Sequence, residues 1–200
     1  MAFRVQDFRS QLEFDGARPN LFRCTINFPV LATSSSTATG FASGQGAAEK
    51  FTFMARTAQL PGSTVNSVPV NYFGRELKFA GNRTFQEWTV TVINDEDFVI
   101  RNAFEKWMSG INSHASNLRA PAFSRGDGGY QQDGKVIQYG KDGDILKIYN
   151  FVGMFPIDIS PIELDWGAND AIEEYAVTFA YQWWESDTTD FTTNVAAVEQ

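Results

Sequence analysis

Apolar and polar residues alternate with period two along most of this chain, and once they switch clearly to a period near 3.6. In Trp88-Thr89-Val90-Thr91-Val92, the residues Trp88, Val90 and Val92 share one face and Thr89 and Thr91 the other. This pattern predicts a strand with one buried face. Phe98 then opens a run in which Ile100, Ala103, Phe104, Trp107, Met108 and Ile111 follow three-and-four spacing. The spacing predicts an amphipathic helix over 95–110 whose inner face, from Phe98 through Phe104, Trp107, Met108 and Ile111, packs on the strands. Asn94 is placed to cap it, Asp95, Glu96 and Asp97 suit the positive end of the helix dipole, and Gly110 is a natural stop.

The remaining pattern is mostly strand. Val5, Phe8 and Leu12 have helical spacing in a short arm, 1–19, too short to stand alone and expected to dock on something. A strand is expected from Leu21 to Val30 with Phe22, Cys24, Ile26 and Phe28 on one side, and another from Phe51 to Leu60, closed by Leu60-Pro61-Gly62. Val68, Val70 and Tyr72 alternate around Pro69, which suggests an edge or a bulge, and Leu77 and Phe79 alternate after Gly74. Asp133-Gly134 is a hairpin-turn signal inside the loop-like stretch 112–144. Ile157 and Ile159, then Ile162, Leu164 and Trp166, continue the alternation. A long last strand carries Tyr175, Val177, Phe179, Tyr181 and Trp183 on one face, with Trp184 on the other. Residues 31–50 form an extended Ser/Thr/Ala/Gly loop with one aromatic, Phe41, and 186–200 thin into a flexible tail. Seven or eight strands and one helix in a single domain, 1–185, predict a mainly β (α+β) fold. It is an antiparallel β-sandwich or barrel with one flanking helix.

Composition adds a heavy aromatic load, 18 Phe, 6 Tyr and 5 Trp, which suits a β-rich core, sticky surfaces, or both. No apolar run reaches the roughly 18 residues of a membrane span, and the first residues lack the apolar core of a signal peptide. One Cys and one His exclude a disulfide within the chain and a Cys/His zinc site. Cys24 falls on an inner strand face and reads as a buried structural thiol, compatible with a reducing cytoplasm. His114 sits in a polar loop with no nucleophile elbow anywhere. No Gly-rich phosphate loop opens a helix, and Asp142-Gly143-Asp144 lacks the ligand pattern of a calcium loop. Pairs such as Asp158/Glu163 and Glu173/Glu174 have no sequence-defined separation for glycosidase work. No catalytic residue, metal or cofactor is expected, and the chain does not read as an enzyme.

Charge is placed unevenly. All 16 Lys and Arg lie at or before Lys147, whereas ten of the 24 acids follow it, so the first 147 residues carry +2 and the remainder −10. Oppositely biased surfaces suit self-association, and a net charge of −8 suits specific nucleic-acid binding poorly.

Several collinear blocks resemble the tail tube proteins of contractile-tailed (T4-like, myovirus-type) bacteriophages. They are Gln11-Leu12-Glu13-Phe14, Gly16 to Phe22, Gln59 to Ser63, Tyr72-Phe73-Gly74-Arg75, Phe79-Ala80-Gly81, Trp88 to Val92, Asn94 to Phe98, Phe104 to Trp107, Phe155 to Trp166 and Ile172 to Phe179. The Gly-rich stretch 124–144 falls outside the resemblance. It implies a virion structural protein, assembled in the host bacterial cytoplasm, whose subunits form hexameric rings around an inner β-barrel. The rings would stack into a tube that carries genome and tape-measure protein, with the sheath, baseplate hub and tail-terminator as further partners and DNA passing non-specifically. On that reading Thr89 and Thr91 are candidates for the lumen wall. Phe41, with the loop 31–50, and Leu60, Pro61 and Gly62 are candidates for ring-to-ring contacts. The inner tube of a type VI secretion system or of a phage-tail-like injection particle is the alternative. A reading of another class is a β-sandwich carbohydrate-binding module using Trp166, Trp183 or Trp184 as a stacking platform.

Overall fold

A computed structural model describes residues 4–12, 16–29, 32, 46–123 and 129–188. Its elements in chain order are α1 (Val5–Ser10), β1 (Phe22–Ile26), α2 (Ala47–Met54), β2 (Ala55–Ala58), β3 (Ser63–Tyr72), β4 (Arg75–Phe85), β5 (Trp88–Ile93), α3 (Val99–Ile111), a 3-10 turn (Pro121–Phe123), β6 (Gln132–Tyr139), β7 (Ile145–Ile159), β8 (Glu174–Ala180) and β9 (Trp183–Ser186). Among the described residues seven strands form one antiparallel sheet in the order β1-β6-β7-β8-β5-β2, with β9 also on β7, while β3 and β4 pair only with each other. The fold is mainly antiparallel β, as the alternation predicts, but β1 and β2 remain unpaired edges and the sheet does not close by hydrogen bonds. Helix α2 packs against β1, β2, β5 and α3, covering the seam between those edges.

The core lies under α2 and α3. Trp88, Val90 and Val92 from β5 and Tyr175, Val177 and Phe179 from β8 are buried together with Phe51, Phe104 and Trp107. Trp88 stacks on Phe151 at 4.5 Å between ring centroids, and Phe104 meets Phe28, Phe51 and Phe179 at 4.9–6.0 Å. Each such side chain contributes about 1.5–3 kcal/mol by leaving water. The Trp107 indole donates to the Tyr130 carbonyl oxygen (2.7 Å), so its one polar atom is satisfied. Met108 and Ile111 are half-buried, the latter against the core. Phe98 differs from expectation. It is the residue before the helix, at φ 51° and 40% exposed, and it does not pack on the inner face. The helix also begins later than expected, at Val99, because Asp97 Oδ1 accepts the Val99 N–H, and Asn94 instead donates its amide to Glu173 Oε2 (2.7 Å). Gly110 lies within the last turn, one residue before the end.

Other expectations change as well. Residues 47–54, expected as the end of a loop and the start of a strand, are helical. Phe51 is fully buried and Phe53 is 75% exposed, whereas a strand would place both on one face. Asp133-Gly134 makes no turn; β6 runs straight through it with a bulge. A Cβ on Gly134 would stand 2.7 Å from Met154 Cε, so a larger residue here would push the end of the Met154 side chain aside. The β6–β7 turn is at residues 140–144 instead, closed by the Gly140 N–H to the Asp144 carbonyl (2.8 Å). Ile162, Leu164 and Trp166 form no strand: 160–173 is a loop with Trp166 fully exposed. The arm helix α1 leaves Val5, Phe8 and Leu12 exposed.

Strand β7 turns a corner at Gly153 (φ 64°), a conformation that L side chains rarely adopt. Phe151 and Met154 both point inward across that corner, so the in–out order inverts there. On the neighbouring strand β9 Trp183 therefore turns outward, and Trp184 packs on Tyr149 at 5.6 Å. The expected single strand 175–184 is thus two, with opposite faces buried.

The start of α3 is tied to α2 electrostatically. Lys50 sits between Asp95 and Asp97. Partial burial acts to lower the Lys50 pKa, but its hydrogen bonds to the two carboxylates outweigh this and raise it. Hydrogen bonds from Lys50 and from the Glu96 N–H hold Asp95 below its ordinary value. A depressed carboxylate stabilises the fold above its unfolded pKa, near 3.8, and the contribution is lost as pH falls through the folded value. The raised Lys50 loses its share only at strongly alkaline pH. Asp95→Asn is therefore expected to lower the melting temperature by more at pH 7 than at pH 3. An equal gap at both pH values would remove the clasp from the account.

Candidate assembly surfaces

Burial pushes the Cys24 thiol up to about 12, so it stays neutral, and His114 is exposed on its loop. Among the described residues no cluster of three His, Cys, Asp or Glu could hold a metal. The surfaces that stand out are three, and they differ in kind.

The first is the face of the sheet opposite the core. Thr89 and Thr91 stand on β5 between buried residues, opposite Thr178 and Ala176 on β8, and Thr91 also faces Thr57 on β2. Thr89 and Thr178 share a hydrogen bond of 3.2 Å. This wall is built of short, mostly polar side chains, with Asp158 beside Thr178. Leu60, Pro61 and Gly62 lie elsewhere, in the lead-in to β3. That lead-in is pinned to the body, because Trp88 Nε1 donates to the Gln59 carbonyl (2.8 Å) and Trp184 Nε1 to the Gly62 carbonyl (3.2 Å). Phe41 falls outside the described residues.

The second surface is the β3–β4 hairpin itself. The pairing Val68↔Phe79, Val70↔Leu77 and Tyr72↔Arg75 puts Val68, Val70, Tyr72, Leu77 and Phe79 on one face. All five are exposed, and among the described residues nothing outside the hairpin covers them. A two-stranded ribbon is marginal in water, and a contiguous exposed apolar face marks an interaction site. At its tip Phe73 is 90% exposed in a left-handed conformation (φ 48°), followed by Gly74 at φ 76°. Left-handed φ at both central residues suits a tight hairpin turn, but a bulky aromatic there is strained. The root is firm: the Arg83 guanidinium lies over Phe85 (5.4 Å) and Trp184 (5.5 Å) and donates to Ser63 Oγ (2.9 Å). Alternation in the sequence shows these apolar positions, but not that the chain leaves them uncovered.

The third is the loop 160–173. Its ends are fixed by the Ser160 and Ala176 backbone pair (2.8 Å), by Ser160 Oγ on the Ala176 N–H (2.8 Å) and by Asn94 on Glu173. Its middle exposes Leu164, Trp166 and Ile172 among Glu163, Asp165 and Asp170.

Residues 17–187 match the family model described as phage tail tube protein. The chain belongs to the phage tail tube protein family. The chain is 30% identical to tail tube protein gp19 of Enterobacteria phage T4 over 172 residues, covering 86% of this chain and 92% of the relative. It is 27% identical to the tail tube protein of Serratia phage KSP90, covering 88% and 93%. Its relatives are structural proteins of phage tails, and the family places this chain among structural proteins, not enzymes. The fold is shared with a chain of the cap of the anti-feeding prophage, at a TM-score of 0.56 and 14% identity over 89% of this chain and 94% of that one. A chain of the sheath–tube complex of an extracellular contractile injection system matches at 0.51 and 12% over 92% and 98%. The first of these assemblies is a tube-terminating cap and the second a complex of sheath and tube.

Proposed function

We propose that six copies of this chain close into a ring and that the rings stack into the hollow tail tube of a contractile-tailed phage. The observation that carries the reading is the β3–β4 hairpin, an apolar ribbon that no other described residue covers and that another subunit would cover. The open edges β1 and β2 support it, since an unpaired sheet edge is a ready template for association. Six-fold symmetry is supported by fold-level likeness to a chain of the 6-fold symmetrised baseplate of the anti-feeding prophage, at a TM-score of 0.55. The Thr89 and Thr91 wall faces the bore in this reading. A net charge of −8 repels duplex phosphates and the short neutral hydroxyls of the wall offer no cation to hold them, so genome and tape-measure protein slide through without adhering. The tube is built in the host cytoplasm between baseplate hub and tail-terminator, within the sheath, and works in the virion tail.

Purified protein, examined by size-exclusion chromatography with light scattering and negative-stain imaging, is expected to give six-membered rings or tubes with a central bore. A monomer at every concentration, unchanged by added baseplate or tube seed, would overturn the reading.

A further inference from the structure

The hairpin and the loop 160–173 lie at opposite ends of the same two strands. The hairpin root is held at the start of β5 and the end of β8, where Trp88 pairs with Phe179 and Phe85 meets Tyr181 at 6.2 Å. The loop is held at the other end, where Ile93 pairs with Glu174 and Asn94 holds Glu173. A strand of this length separates the two by about 20 Å. The ends also differ in charge. The hairpin carries Arg75, Lys78 and Arg83 against the single acid Glu76, whereas the loop carries Glu163, Asp165, Asp170 and Glu173 and no Lys or Arg. Both expose apolar side chains within the charged surround: Val70, Leu77 and Phe73 on the hairpin, Leu164, Trp166 and Ile172 on the loop.

We propose that the acidic loop is the receptor for the hairpin of a second copy, the hairpin of one ring seating on the 160–173 loop of the ring stacked against it. Two different, complementary patches at opposite poles of one subunit make a heterologous contact. Such a contact does not close on itself, and it propagates an open-ended stack. Trp166 supplies the large aromatic anchor that interface centres favour, and Arg75 and Lys78 at the tip meet Glu163 and Asp165 at the rim. This inference rests on the tube reading and assigns the ring-to-ring contact within it. It moves that contact from Leu60, Pro61 and Gly62 to the ribbon they lead into.

The test is a charge exchange in the full chain. Glu163→Lys with Asp165→Lys is expected to reduce tube mass about tenfold or more while rings persist, and Arg75→Glu with Lys78→Glu to do the same. All four changes together are expected to restore tubes. The sites are exposed, so folding is checked by an unchanged melting temperature. In parallel, a chain carrying Lys78→Cys and Asp165→Cys is expected to give, on oxidation, a ladder of covalent multimers, because Cys24 is buried and does not compete. Wild-type protein that makes no ring or tube would overturn the tube reading. Normal tubes from the reversed loop, absence of restoration in the four-fold variant, or assembled but uncross-linked cysteine protein would overturn this contact alone.

Discussion

Replacing Val68, Val70, Leu77 and Phe79 together with threonine is expected to give a folded subunit that no longer builds tubes. Threonine keeps strand propensity, so the ribbon itself persists. The four side chains are exposed and among the described residues touch little beyond one another across the ribbon, so each exchange changes stability by no more than about 0.5 kcal/mol. In a contact with a neighbour each would bury apolar surface that is roughly half-covered already, about 1 kcal/mol apiece. Four of them give about 4 kcal/mol, or roughly a thousandfold in the equilibrium constant of each contact. Circular dichroism and urea unfolding would show an intact subunit, and light scattering would show loss of large assemblies. Tubes formed at wild-type concentration would mean that the apolar ribbon is not an assembly surface.

The largest effect on the fold itself is expected at Trp107. Truncation to alanine opens a cavity between Phe28 and Phe104 and leaves the Tyr130 carbonyl without its donor. Trp→Ala in a core costs about 3–5 kcal/mol, a large part of the 5–15 kcal/mol by which a domain is stable. Trp107→Phe keeps most of the packing and loses the hydrogen bond, at a cost of about 1–3 kcal/mol. Urea midpoints of the two variants separate the contributions. Equal midpoints would show that the indole N–H, not the ring, holds α3 in place.

How much of this could be read from residues alone depends on how many turns of a pattern the chain repeats. Thirteen residues of α3 repeat a 3.6 period often enough to exclude a strand, and β5 repeats period two beside it. Helix α2 has only eight residues, and Phe51-Thr52-Phe53-Met54 fits alternation as well as a helix. The Lys50 clasp and the seam between β1 and β2 decide that segment, and both are tertiary. Asp133-Gly134 carries turn chemistry, but the glycine lies against Met154 across the sheet. The inversion at Trp183 and Trp184 follows from a corner whose position is set by Gly153 on a different strand. The family was legible in the collinear blocks. For the assembly surfaces, alternation marked the apolar face of the hairpin without saying whose core it fills. Ile162, Leu164 and Trp166 alternate as a strand would and yet lie in a loop, because loops, too, alternate by chance.

The 15-residue strand β7 has a mechanical consequence. Its middle pairs with β9, where Phe151 faces Trp184, and Trp184 grips the hairpin root through Gly62. Its end runs directly into Ser160 at the base of the acidic loop. A load entering the subunit at one pole therefore reaches the other along one continuous backbone, bent at the Gly153 corner. The hydrogen bonds to β6, β8 and β9 are then strained in shear, all at once, instead of being peeled one after another. A column of such subunits would resist buckling and stretching along its length while its lateral seams remain the softer direction, which is the stiffness a needle needs.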